Sequence, residues 1–325
     1  MAATQHKGDE PRWRNLSRPE LGLADLISDH ISSSRSITNN CLRSLQSAPT
    51  LLLFSDYGGA HKDARYEVLS ILVSTLDGIQ GFNSERRRLR EGPLGPERRM
   101  SYEALNDRVR MRSLPDYLDA LDQLEGLLIN FALDKHATGR LSEDYIADTA
   151  SGHLSKWASR SFRKLTRVGN LAAILIEGVR CDHQNIVWIS DEDEIAPNEP
   201  KHIEATRVLG HFLSHYCSGP MGHFRFGTTA SDTGNRLIED LAATPDLAAG
   251  CIGEVLSLLA PHPQSSSVER LFLPPGTDLP DKVVGIATWL AGSTTALKKL
   301  NLVVDEVGEG CSIRNFEIVT SLADL

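Results

Sequence analysis

Four adjacent carboxylates carry the chain's sharpest chemical signal. The stretch VWISDEDEI, residues 187–195, is apolar for three of its first four residues and then places Asp191, Glu192, Asp193 and Glu194 side by side. Like charges so close repel, and a fold keeps them together when solvent, a basic partner or a metal ion compensates. Two readings follow: a solvated turn, or a strand end that delivers oxygen ligands to a divalent cation. A related arrangement stands earlier, where TLLLFSDYGG runs apolar up to Phe54 and then sets Asp56 before two glycines. Asp56 alone also suits a tight turn, accepting backbone hydrogen bonds.

The basic residues are clustered as well. ERRRLREGPLGPERRM, residues 85–100, carries Arg86, Arg87, Arg88, Arg90, Arg98 and Arg99 around a Gly-Pro segment that interrupts helix. A charge run is ordinarily a solvated surface. Beside an acidic pocket it gains a function, because a polyanion approaches such a pocket only along cations, and arginine grips phosphate oxygens in bidentate fashion. Arg160, Arg163, Lys164 and Arg167 extend that surface, with Trp157 and Phe162 as core residues between them. His211 and His215 have the i, i+4 spacing of a zinc pair, but HFLSH lacks the glutamate that a zinc protease carries after its first histidine. There is no GxSxG nucleophile elbow and no GxxxxGK[ST] phosphate loop.

These residues need elements to hold them. Residues 1–48 read as a polar tail with one short amphipathic helix on Leu21, Leu23, Leu26, Ile27 and Ile31. Strands are expected at 51–54 and 66–77, joined as a hairpin, at 127–135 and at 185–190. The segment 100–107 fits either a strand or a helix start. A helix over 113–126 would be capped by Ser113, with Pro115 in its first turn. Further helices are expected at 155–179, at 200–216, over 234–259 with a break near Pro245, and at 282–299. A strand at 223–229 and a C-terminal hairpin around the turn 308–310 complete the pattern. This order predicts an α/β domain with a mixed sheet over 49–260, preceded by the tail and followed, over 261–325, by a loop, a helix and a β-hairpin packed on it.

Two segments, together with Asp191 after a later strand, carry a family resemblance. FSDYGG and TPDLAAG, with Asp246 in the latter, resemble the first-strand turn and the late-helix box of the ribonuclease H-like superfamily, particularly its uncharacterised bacterial and phage members. The likeness spans roughly residues 50–260. It implies a mixed sheet flanked by helices and a divalent-metal-dependent nuclease or phosphodiesterase acting on nucleic acid. Asp56, Asp191 and Asp246 would be its catalytic acids, and these three with Asp193 would hold Mg²⁺ or Mn²⁺. Two ions ~4 Å apart need several hard oxygen ligands on rigid elements. Asp134 and Asp240 are reserve ligands. This chain has Tyr57 where the family-like turn would place a second acid, and Gly58 in place of its serine. Two other functions fit the same residues: a silent nucleic-acid- or protein-binding module of this fold, and a nucleotide-sugar glycosyltransferase with Asp191-Glu192-Asp193 as its DxD motif.

Composition sets the outer limits. With 41% hydrophobic and 24% charged residues the chain is globular in character, and its charge of −9 excludes a uniformly basic nucleic-acid coat while permitting a local patch. Apolar runs such as 171–179 fall well short of the ~20 residues of a membrane span, so no membrane partner is expected. The first thirty residues lack an apolar signal region, and the five cysteines stand singly, which points to a reduced, cytoplasmic setting. Nothing in the sequence fixes an oligomeric state.

Overall fold

A computed structural model describes residues 10–58, 64–137, 141, 159–191, 195–232, 234–259, 270–273, 279–294 and 296–319. It is an α/β protein built on a seven-stranded mixed sheet with helices on both faces. The strands are β1 (Thr50–Gly58), β2 (Tyr66–Thr75), β3 (Gly126–Asp134), β4 (Asn185–Ser190), β5 (Phe224–Thr228), β7 (Leu297–Val307) and β8 (Gly310–Asn315), in the order β5-β4-β1-β2-β3-β7-β8. β1 pairs antiparallel with β2 and parallel with β4; β2–β3 is antiparallel, and β4–β5 and β3–β7 are parallel. β6 (Arg270–Phe272) and β9 (Glu317–Val319) make a separate two-stranded ribbon.

Strand alternation divides the core in two. On β1, Leu51 and Leu53 face one layer and Leu52 and Phe54 the other, as period-2 geometry requires. The first layer is covered by α1 (Leu23–Ser32), α2 (Asn39–Ser47), α5 (Ser159–Val179) and α6 (Glu199–Tyr216). The second is covered by α3 (Gln80–Glu91), α4 (Arg108–Leu121), α7 (Leu237–Leu259) and α8 (Asp281–Ala291). Both faces of the central strands are therefore buried, which is why β1 and β3 read as continuous apolar runs.

Several expectations need correction. The N-terminal segment holds two helices rather than one, and it is integral: Ile27 and Ile31 are fully buried and Trp13 donates from its indole to the buried Ser28 hydroxyl. The expected helix at 113 starts five residues earlier, because Asp107 caps it by accepting from the Arg110 amide at 3.0 Å. Ser113 is buried inside that helix, and Pro115 lies on its exposed side, where the carbonyl left without a partner can reach water. The segment 100–107 is neither strand nor α-helix start but a 3₁₀ turn, Glu103–Asn106. α7 runs unbroken through Pro245, held by packing across β1 and β2. That helix is also long and apolar enough by composition to cross a bilayer, contrary to the run-length reading, but most of the stretch is buried against the sheet. The helix expected to reach 299 stops at Ala291; Lys298 and Lys299 begin β7, whose parallel pairing with β3 makes the C-terminal hairpin part of the main sheet.

Candidate active site

The site lies at the carboxyl end of β1. Alternation puts Phe54 and Asp56 toward α7, and Ser55 and Tyr57 toward α5. The opposite face is tied down by polar contacts: Trp188 donates from Nε1 to the Ser55 hydroxyl at 2.8 Å, and the Tyr57 and Ser190 hydroxyls are 2.9 Å apart. Residue 57 thus points away from Asp56, and the tyrosine found there removes nothing from the carboxylate's side of the sheet.

Asp191 reaches that side through register. β1 and β4 run parallel with Phe54 opposite Ile189 and Ser55 opposite Ser190, so the next residue of β4's chain, Asp191, falls beside Asp56 and faces the same way. Asp246 comes from α7, which crosses β1 and β2. Two glycines permit the approach. A Cβ on Gly58 would stand 2.6 Å from the Ala249 carbonyl oxygen, and one on Gly250 would stand 2.3 Å from the Tyr102 ring. The Tyr102 amide in turn donates to Asp246 Oδ2 at 2.6 Å.

The carboxyl groups of Asp56 and Asp246 stand close enough to act on each other directly. Two carboxylates held so close repel when both are ionised, which favours the protonated form of one of them. Both groups are only half-buried at their surface, yet protein crowds them closely. Burial, the largest cause, pushes the Asp56 pKa well above the ordinary carboxylate range, with the charges of Asp246 and Asp191 adding to it. Burial likewise raises Asp246, against the opposing pull of the Tyr102 amide.

Thr229 Oγ1 donates to Asp191 at 2.7 Å, and Arg99 Nη2 is 2.7 Å from its other carboxylate oxygen. Burial alone would lower the Arg99 pKa, but the hydrogen bond and charge of Asp191, with Glu239 and Asp246 beyond, more than offset it. Among the described residues, no three His, Cys, Asp or Glu side chains already close into a metal cage. What the site supplies is a set of hard carboxylate oxygens under mutual repulsion, the donor chemistry that Mg²⁺ and Mn²⁺ take.

The remaining candidates separate clearly. Asp193, with Glu192 and Glu194, lies outside the described residues, as does Trp157. Asp240 is fully buried and ion-paired to both Arg86 and Arg90, so all three are structural, and neither arginine is placed to meet a nucleic acid. Asp134 is likewise buried and bound to Arg65 at 2.9 Å. Arg87, Arg88 and Arg98 are exposed, Arg88 pairing with Glu85 at 3.1 Å. Residues 85–91 belong to α3, which explains the sorting: one face of that helix buries Phe82, Arg86, Leu89 and Arg90 while Arg87 and Arg88 face solvent.

On α5, Arg160 and Arg163 are exposed, Lys164 sits 4.1 Å over the Tyr57 ring and Arg167 pairs with Glu67 at 2.8 Å. Arg160, Lys164 and Arg167, together with residues of β1, β2 and β3, line a cavity of about 80 Å³ on the sheet face opposite the carboxylates. His211 and His215 lie on the outer side of α6. Sequence reasoning missed Tyr102, Thr229 and the pairing of Arg99 with Asp191. Tyr102 and Thr229 act through a backbone amide and a hydroxyl that carry no distinctive motif, and only the glycine of TPDLAAG hinted that something packs closely there.

Against known proteins, no family model matches this chain and no curated protein sequence matches it significantly.

Proposed function

We propose that the protein is a divalent-metal-dependent nuclease or phosphodiesterase of ribonuclease H-like fold. The carrying observation is the meeting of Asp56, Asp191 and Asp246, which come from a first strand, the strand parallel to it and a late helix, on one face of the sheet. Five strands in the order β3-β2-β1-β4-β5, with β2 antiparallel and β4 parallel to a central β1, support the fold assignment. Asp56 and Asp246 would hold Mg²⁺ or Mn²⁺ in their ionised form, and Asp191, with Asp193 following it, would complete the ligand set. The bound ion would supply an activated water for attack on phosphorus and charge to steady the departing oxygen. The chain's own part is to hold three acids rigidly on β1, β4 and α7 and to offer Arg87, Arg98 and Arg99 to the phosphates along the approach.

A second reading draws on one observation. Arg99 already neutralises Asp191, and a site satisfied by its own arginine also suits a binding module of the same fold without turnover. The glycosyltransferase reading gives the Asp56–Asp246 pair no role. Cleavage of single- and double-stranded DNA and RNA in Mn²⁺, by wild type and Asp56→Asn, separates the possibilities. Metal-dependent cleavage lost in the variant is the expected result. Salt-sensitive binding with no cleavage by wild type favours the binding module, and hydrolysis of a uridine-diphosphate sugar that survives Asp56→Asn would restore the transferase.

A further inference from the structure

Arg99 is held differently from its neighbours in the same cluster. Arg90 is saturated: Nε and Nη2 both bond Asp240, while Nη1 donates to the Gly95 and Arg98 carbonyls. Arg86 is similarly occupied by Asn83, the Asn235 carbonyl and Asp240. Arg99 instead reaches Asp191 through Nη2, its side chain stays 37% exposed, and its Nε is buried without a hydrogen-bond partner. A buried N–H that bonds nothing is costly, so the observed pose leaves unused donor capacity at the mouth of an acidic site.

The charges explain the pose. Asp56, Asp191 and Asp246 bring three carboxyl groups to one place, and Arg99 is a cation set among them, in ion-pair contact with Asp191 at 2.7 Å. A divalent ion entering the site would seek the same Asp191 oxygens, and a cation cannot stay beside it in ion-pair contact.

Resting on the metal-dependent reading above, we infer that Arg99 is a resident counter-cation that competes with the metal for Asp191 and, once displaced, binds the phosphate group of the nucleic-acid substrate. The exchange keeps Asp191 from being left without a partner of opposite charge. Before metal arrives, guanidinium balances Asp191. Afterwards the metal does, and the fork of Arg99, with Nε now usable, turns to phosphate oxygens, for which its planar donors are suited. Arg99 is thereby a substrate-positioning residue whose resting contact slows premature metal loading.

Calorimetric titration of Mn²⁺ into wild type, Arg99→Ala, Arg99→Gln and Asp56→Asn tests this, with thermal melting to verify folding and Arg99→Gln standing in should the alanine variant not fold. Removing the competing ion pair is expected to tighten Mn²⁺ binding about fivefold, the strength of a half-exposed pair. Binding of a single-stranded oligonucleotide in Ca²⁺ should at the same time weaken, with a salt slope reduced by about one. If Mn²⁺ binds both Arg99 variants no more tightly than wild type while Asp56→Asn abolishes binding, the counter-cation role is overturned and the metal site stands. If no protein binds Mn²⁺, both fall.

Discussion

Asp240 and Asp246 lie six residues apart on α7, yet they have opposite fates. Asp240 points into a knot in which Arg86 and Arg90 bind both its oxygens, and the Tyr117 hydroxyl donates to its backbone carbonyl. Every charge there has a partner of opposite sign. Asp246 faces another acid, Asp56, and accepts from the Tyr102 backbone amide. The first site is closed and stabilises the fold; the second is under electrostatic strain that a cation would relieve. One helix thus carries both a structural and a reactive carboxylate, and what distinguishes them is the neighbour across the contact: arginines on α3 in one case, the end of β1 in the other.

Breaking the closed site should have the largest effect. Asp240→Ala leaves two buried guanidinium groups uncompensated, and a loss of about 3–5 kcal/mol is expected in urea unfolding, where uncompensated buried charge ranks among the costliest lesions. A change below ~1 kcal/mol would show that the knot is solvated. Next come the glycines that bring α7 to β1. Gly58→Ala must displace the Ala249 carbonyl, so a loss of about 1–3 kcal/mol is expected, together with weaker Mn²⁺ binding as Asp246 retreats from Asp56.

The strained site should respond in the opposite direction. Asp56 binds its proton more tightly in the native state than in the unfolded chain, whose carboxylates titrate near ~3.9. The native state therefore holds more protons, and the metal-free protein loses stability as pH rises from ~4 through the raised pKa. Asp56→Asn removes that dependence and should stabilise the metal-free protein at neutral pH while abolishing metal binding. A variant less stable than wild type at pH 7 would contradict the raised pKa of Asp56. The smallest effects belong to the exposed arginines. Arg87→Ala and Arg98→Ala should leave stability within ±0.5 kcal/mol and each lower the salt slope of oligonucleotide binding by about one, as fluorescence anisotropy would read it.

The central sheet was legible because β1, β3 and β4 are short apolar runs punctuated by acids and glycines, and their burial on both faces leaves that mark on composition. The position of Asp191 was legible for the same reason, since it follows the last apolar residues of a strand. The helix over 80–91 was hidden because its buried positions include arginines, so its apolar face has no apolar period; Arg86 and Arg90 read as surface while serving the core. α7 was misread at Pro245 because local propensity predicts a break that packing across two strands overrides. The C-terminal helix was drawn too long for a related reason, as KKL in 298–300 suits either state and only pairing with β3 decides it. Partners across the site lie far apart in the chain, Tyr102 144 residues from Asp246 and Thr229 38 from Asp191, and have no spacing that a single sequence could show.

Anomalous diffraction from crystals soaked in Mn²⁺ tests the account most directly. The account predicts a peak within coordination distance of Asp56 and Asp246, with Arg99 drawn away from Asp191. A fully soaked crystal with no ion there, its two carboxyl groups still side by side, would contradict it.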